Sequence, residues 1–160
     1  MSSYVWILTV VHTLLSFVAI GFGISATSGL FGGHHSTVWT RWFFFTAVAV
    51  TLTGFIFPFT GITPAFATGL VSTVILIAWL IAHRQGRVGA WRWIYAVGIV
   101  ASLYLLIFVT IAQAFQKIPF LQAMAPTGAE APFAVAQVIA LIVFIVIGVR
   151  AVSRFRPARA

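Results

Sequence analysis

FAVAQVIALIVFIVIGVRAV, residues 133–152, is a run of twenty residues whose single charge, Arg150, sits two places from its end. An α-helix rises 1.5 Å per residue, so such a run reaches ~30 Å, the thickness of a bilayer's hydrocarbon core. No period of polar residues interrupts it, so it has no face suited to water. This stretch reads as a transmembrane helix, and the rest of the chain is read outward from it.

Four more segments meet or approach the same length: Tyr4–Ile24, Trp39–Phe59, Ala65–Ala82 and Trp91–Phe115. The expected fold is therefore all-α, a single integral membrane domain over residues 1–160 with five transmembrane helices. Pro58 and Pro64 bracket a short turn, the Gly/Ser-rich stretch Ser25–Ser36 reads as the link between the first two spans, and Lys117–Pro132 separates the last two. The first span has no basic residue before it and no Ala-x-Ala pattern, so it is expected to be retained rather than cleaved. No internal repeat of the kind many transporters carry is visible.

Composition agrees. Hydrophobic residues make up 62% of the 160 and charged residues 6%, against roughly a quarter charged in soluble domains. Lipid must be the solvent for most of the surface. Cysteine is absent, which excludes disulfides, thiolate chemistry, iron–sulfur clusters and Cys-based zinc sites. The net charge of +8 does not point to nucleic acid, because the basic residues flank apolar spans instead of striping a soluble surface.

Those basic residues predict orientation. With alternating spans, one side receives Arg41, Arg84, Arg87, Arg92, Arg150, Arg154, Arg156 and Arg159, and the other only Lys117. Positive charge gathers on the cytoplasmic side of short-loop membrane proteins, so the N-terminus is expected outside and the C-terminus in the cytoplasm. Tyr4, Trp6, Trp39, Trp42, Trp79, Trp91, Trp93 and Tyr95 lie near span ends and read as headgroup-level anchors. Gly21, Gly23, Gly54 and Gly98 offer close helix approach, although none of them forms a GxxxG pair.

Within the spans, Arg150 aside, one ionisable residue stands out. His12 lies ~12 Å along the first helix from Tyr4, with Thr9 and Ser16 on its face. Intramembrane ionisable groups raise a functional hypothesis by default. Gln113 and Lys117 on the fourth span, Gln137 on the fifth and Glu130, the chain's one acid, belong to the same outer half. A candidate ligand-binding pocket is thus His12, Gln113, Lys117, Glu130 and Gln137. The alternative is that these groups bond helix to helix, as Ser, Thr, Gln and His do in membranes, with Glu130 and Lys117 as a loop ion pair of little energetic weight.

No catalytic residues, metal ligands or cofactors are assigned. His34 and His35 are adjacent and diverge, and His83 stands beside arginines at the basic end. A bis-histidine haem needs two imidazoles at one depth, which the chain lacks, and Met124 falls in the outer loop. Paired carboxylates, a Ser-His-Asp set, HExxH and phosphate loops are all missing.

Several stretches resemble a family of small, uncharacterised multi-span membrane proteins of proteobacteria. They are Thr53–Phe59, Trp91–Tyr95, Gln113–Pro119, Ala125–Thr127, Glu130–Phe133 and Gln137, together covering roughly Arg41 to Val149. The resemblance implies a helical bacterial inner-membrane protein and no particular activity. The chain departs from the family at Phe66 and Leu106, apolar here where relatives carry a His and an Asn nearby.

Three functions are expected to compete. One is a non-enzymatic accessory or structural component whose partners are the lipid bilayer and either a homo-oligomer or a larger membrane complex. The second binds or transports a small ligand, a quinone or a proton at the pocket around His12. The third, a haem redox enzyme, has the least support in the residues.

Overall fold

The computed structural model describes residues 3–33, 37–58, 61 and 63–155. His34, His35, Ser36, Phe59, Thr60, Ile62, Arg156 and Arg159 lie outside the described residues. The fold is all-α, with no strand among the described residues. Its elements are α1 (Ser3–Phe31), α2 (Thr37–Ile56), α3 (Pro64–Arg84), α4 (Ala90–Lys117), α5 (Pro119–Met124) and α6 (Ala131–Arg154). Every one except α5 is long and apolar enough to cross a membrane, so the chain is a multi-pass membrane protein.

Two boundaries differ from the sequence reading. The stretch after Ile24 is helix as far as Phe31, not linker. Ser25 and Ser28 return their hydroxyls to the carbonyls of Gly21 and Ser25, at 3.1 and 2.8 Å. Ala26 and Leu30 are meanwhile fully buried. Tertiary burial outweighs the weak helix propensity of a Gly/Ser-rich segment. The separator after Lys117 contains α5, where Pro119 occupies a first-turn position that needs no amide hydrogen.

Helix ends are set by local chemistry. Thr63 caps α3 by accepting from the Phe66 amide at 3.2 Å, with Pro64 in the first turn. At its other end the Gly86 amide donates to His83 O and the Arg87 amide to Ala82 O. With Gly86 at φ +73°, this is a Schellman closure. Arg87 follows at φ +59°, a left-handed conformation that costs a non-glycine residue ~1–2 kcal/mol.

The spans alternate in direction, and α4 is the hub, packing against α1, α3 and α6. The largest fully buried side chains besides Trp79 are Tyr95, Phe43, Phe155, Leu30 and Ile99. They cluster at the arginine-bearing end of the bundle, where Gly33 after α1 also approaches the Arg154 carbonyl. The exterior is apolar along every span, with Leu14, Phe17, Leu52, Val74 and Val149 all more than half exposed. Such a surface suits lipid contact.

Trp79 and Tyr95 correct the sequence reading. They are 2% and 1% exposed, and neither is a headgroup anchor. Trp79 packs against Phe43, Phe44 and Tyr95, and the helix opposite has Gly98, where a Cβ would lie 2.7 Å from Trp79 Cβ. Gly23 serves the α1–α2–α4 contact in the same way, facing Leu103 and Phe43, whereas Gly21 meets nothing within 4 Å. Trp6, Trp39, Trp42 and Trp93 are exposed, as anchors should be.

Candidate functional site

His12 turns toward α2. Its Nδ1 lies 2.8 Å from Thr53 Oγ1, its ring meets Phe57 edge-on at 5.5 Å, and it packs over Gly54. The Thr53 hydroxyl also lies 2.8 Å from Ala49 O and 3.0 Å from Val50 O. A threonine has one hydrogen to give, and these carbonyls accept it, so its oxygen accepts from His12 Nδ1–H. Nδ1 therefore carries a hydrogen. Among the described residues Nε2 makes no hydrogen bond. Thr9 and Ser16, on the same face, bond back to Val5 O and His12 O at 2.8 and 2.7 Å.

The other predicted site residues lie apart from this contact. Gln137 is 9% exposed, and its Nε2 donates to Phe108 O of α4 at 3.1 Å. Its Oε1 is buried with no partner among the described residues. Gln113 is exposed and makes no hydrogen bond among the described residues. Lys117 is exposed in the last turn of α4. No hydrogen bond joins any two of the five.

Glu130 closes its own loop. One carboxylate oxygen accepts from the amide and hydroxyl of Thr127, at 3.1 and 2.8 Å, and the other accepts from the Ala129 amide at 3.1 Å. Partial desolvation pulls its pKa up, but these bonds to the charged form outweigh it and hold the carboxyl below the usual glutamate value. This arrangement takes the place of the expected ion pair with Lys117.

A second polar–aromatic cluster was not foreseen. At the arginine-bearing end Tyr95 is stacked between His83 and Phe155, at 6.0 and 5.6 Å, with the Arg87 guanidinium 5.6 Å from its ring centre. Arg92 Nη1 donates to Phe155 O at 2.8 Å, capping the end of α6. A cation beside the last carbonyls of a helix is favourable because the helix dipole is negative there. The signal in the sequence was Gly98, one turn beyond Tyr95, which marks a close helix approach.

Among the described residues no cluster of three or more His, Cys, Asp or Glu side chains forms a metal site. Three polar contacts link spans, while many other hydroxyls bond back to their own helix: His12–Thr53 joins α1 to α2, Thr51–Ser72 joins α2 to α3 at 2.9 Å, and Gln137–Phe108 joins α6 to α4. Comparison of the chain with protein-family models, with curated proteins and with solved structures finds no match.

Proposed function

We propose that the chain is a non-enzymatic accessory or scaffold component of a bacterial inner membrane, with its arginine-rich end in the cytoplasm. The observation that carries this reading is the three polar contacts that tie neighbouring spans together beneath an apolar exterior. A catalytic or transport centre holds polar groups ready for a substrate, whereas here three of the strongest tie neighbouring helices. The orientation rests on the arginine asymmetry, and the choice of membrane on the resemblance to proteobacterial proteins. Partners of such a protein are lipid and either further copies or other membrane helices.

Purification in mild detergent, with a native mass and an absorbance spectrum, tests this reading. The expected result is colourless protein in a defined oligomer or complex. A Soret band, or a stoichiometric quinone or metabolite lost in His12→Ala, overturns it. Reporter fusions placing both termini on one side overturn the orientation.

One observation favours the second reading, a small-ligand or proton site. His12 Nε2 has no partner among the described residues. Retention of an anionic or quinone-like ligand that depends on both His12 and Lys117 would decide in its favour.

A further inference from the structure

We propose that the groove between α4 and α6 holds an acyl chain of one anionic phospholipid, with the lipid phosphate at Arg92. The groove has a volume of about 610 Å³, and its wall runs from Arg92 and Ser153 past Val97 and Gly148 to Tyr104 and Phe144. Gly148 forms part of the wall, where an added Cβ would make an ordinary 3.8 Å contact with Val100 Cγ1 and a longer side chain would take up groove space. At the far end the Tyr104 ring packs against Phe144 and Phe108, at 5.6 and 6.0 Å.

Length argues for a lipid over a helix. Twelve residues separate Arg92 from Tyr104, or ~18 Å along α4. That is close to half of a ~30 Å hydrocarbon core, the depth of one leaflet. A spanning helix from a second copy would need a surface running the full height.

Charge argues for an anionic headgroup. Six described arginines, Arg41, Arg84, Arg87, Arg92, Arg150 and Arg154, belong to this end, and the chain's one acidic side chain, Glu130, precedes α6 at the opposite end. Among the described residues no acidic side chain lies at this end to neutralise them, so an anionic lipid headgroup is a fitting counter-charge. Arg92 is held at the groove's mouth by its bond to Phe155 O. A guanidinium has five N–H donors in a planar fork that suits phosphate, and this bond uses one. Basic residues at the ends of spans draw anionic lipids in this way. The proposal is independent of the accessory-component reading, because an enzyme or transporter with this surface would hold the same lipid.

The full chain is equilibrated with mixed micelles carrying equal phosphatidylglycerol and phosphatidylcholine, and retained lipid is read by native mass spectrometry. The expected result is one phosphatidylglycerol per chain in preference to phosphatidylcholine. Arg92→Gln should reduce that preference about tenfold, the weight of one hydrogen bond to a charged group. Gly148→Leu should abolish retention by filling the groove while leaving Arg92 in place. Arg84→Gln, an exposed arginine at the same end and outside the groove wall, should change nothing. An equal loss with Arg84→Gln would mean diffuse attraction and would overturn the site. So would a retained second copy in place of lipid, or full retention in Gly148→Leu. Phosphatidylglycerol with a photoactivatable acyl chain, applied to the unaltered protein, covers the case in which a variant fails to fold. Adducts should concentrate on 97–104 and 141–149, and adducts spread evenly over α1, α2 and α3 refute the proposal.

Discussion

Gly98→Ala tests the packing at the heart of the bundle. An added Cβ would lie 2.7 Å from Trp79 Cβ, 3.2 Å from its Cγ and 3.3 Å from its Cα. Carbon atoms are comfortable at ~3.5–4.0 Å, so α3 and α4 must part by about 1 Å. Trp79 cannot turn aside, because the contacts sit at the root of its side chain and Phe43, Phe44 and Tyr95 enclose its ring. Overpacking of this kind costs ~1–3 kcal/mol, and exchanging glycine for alanine in a helix recovers up to ~1 kcal/mol. The net loss should be roughly 1–2 kcal/mol, a factor of about 5–30 in the folding equilibrium. Gly21→Ala is the matched control, because nothing stands within 4 Å of its added Cβ. It should be neutral or stabilising by up to ~1 kcal/mol, the helix gain without the clash. Reversible unfolding by SDS in mixed micelles, followed by helical ellipticity, measures both. If the two variants are equally stable, α3 and α4 do not approach at Gly98, and the account of Trp79 as a core residue fails.

The His12–Thr53 link should behave as a modest coupling: a double-mutant cycle with His12→Ala and Thr53→Val should give ~0.6–1.7 kcal/mol in the same assay, and zero coupling would contradict the assigned hydrogen bond. Gln137→Leu should be close to neutral or stabilising, because it removes a buried oxygen that has no partner along with the bond to Phe108 O; a loss above ~2 kcal/mol would show that Oε1 has a partner of real weight. Glu130 should make its loop acid-sensitive. Its folded pKa is depressed, so its stabilisation is complete above the usual glutamate range and fades as pH falls through the lowered value. Hydrogen exchange at the Thr127 and Ala129 amides should quicken beyond its intrinsic pH trend on acidification, and Glu130→Gln should exchange faster at neutral pH without that extra dependence.

Much of the architecture was legible from residues alone, and for a clear reason. Inside a bilayer every backbone amide must be satisfied within its own segment, so an apolar run like 133–152 has one available form, the helix. Chain length and the placing of Gly and Pro then determine how many helices there are and where they turn. The continuation of α1 through Ser25 and Ser28 was not legible, because propensity there is weak and burial of Ala26 and Leu30 decides the matter. The candidate site was legible only as a set of residues. His12, Gln113, Lys117, Glu130 and Gln137 could be assigned to one half of the membrane, but not to the partners they take.

Five apolar helices with arginines near alternate span ends could be read from residue order alone, since hydrophobicity and charge belong to each residue wherever it packs. Rotation about each helix axis belongs to the assembled bundle. It is the packing of helix on helix that turns His12 to Thr53, brings Gln137 to Phe108 O, makes Trp79 and Tyr95 core rather than anchors, and leaves a groove between α4 and α6 with Arg92 at its mouth. A helix that is apolar on all sides carries little record of which side faces its neighbour, so small residues such as Gly98 and shape complementarity between helices settle the choice.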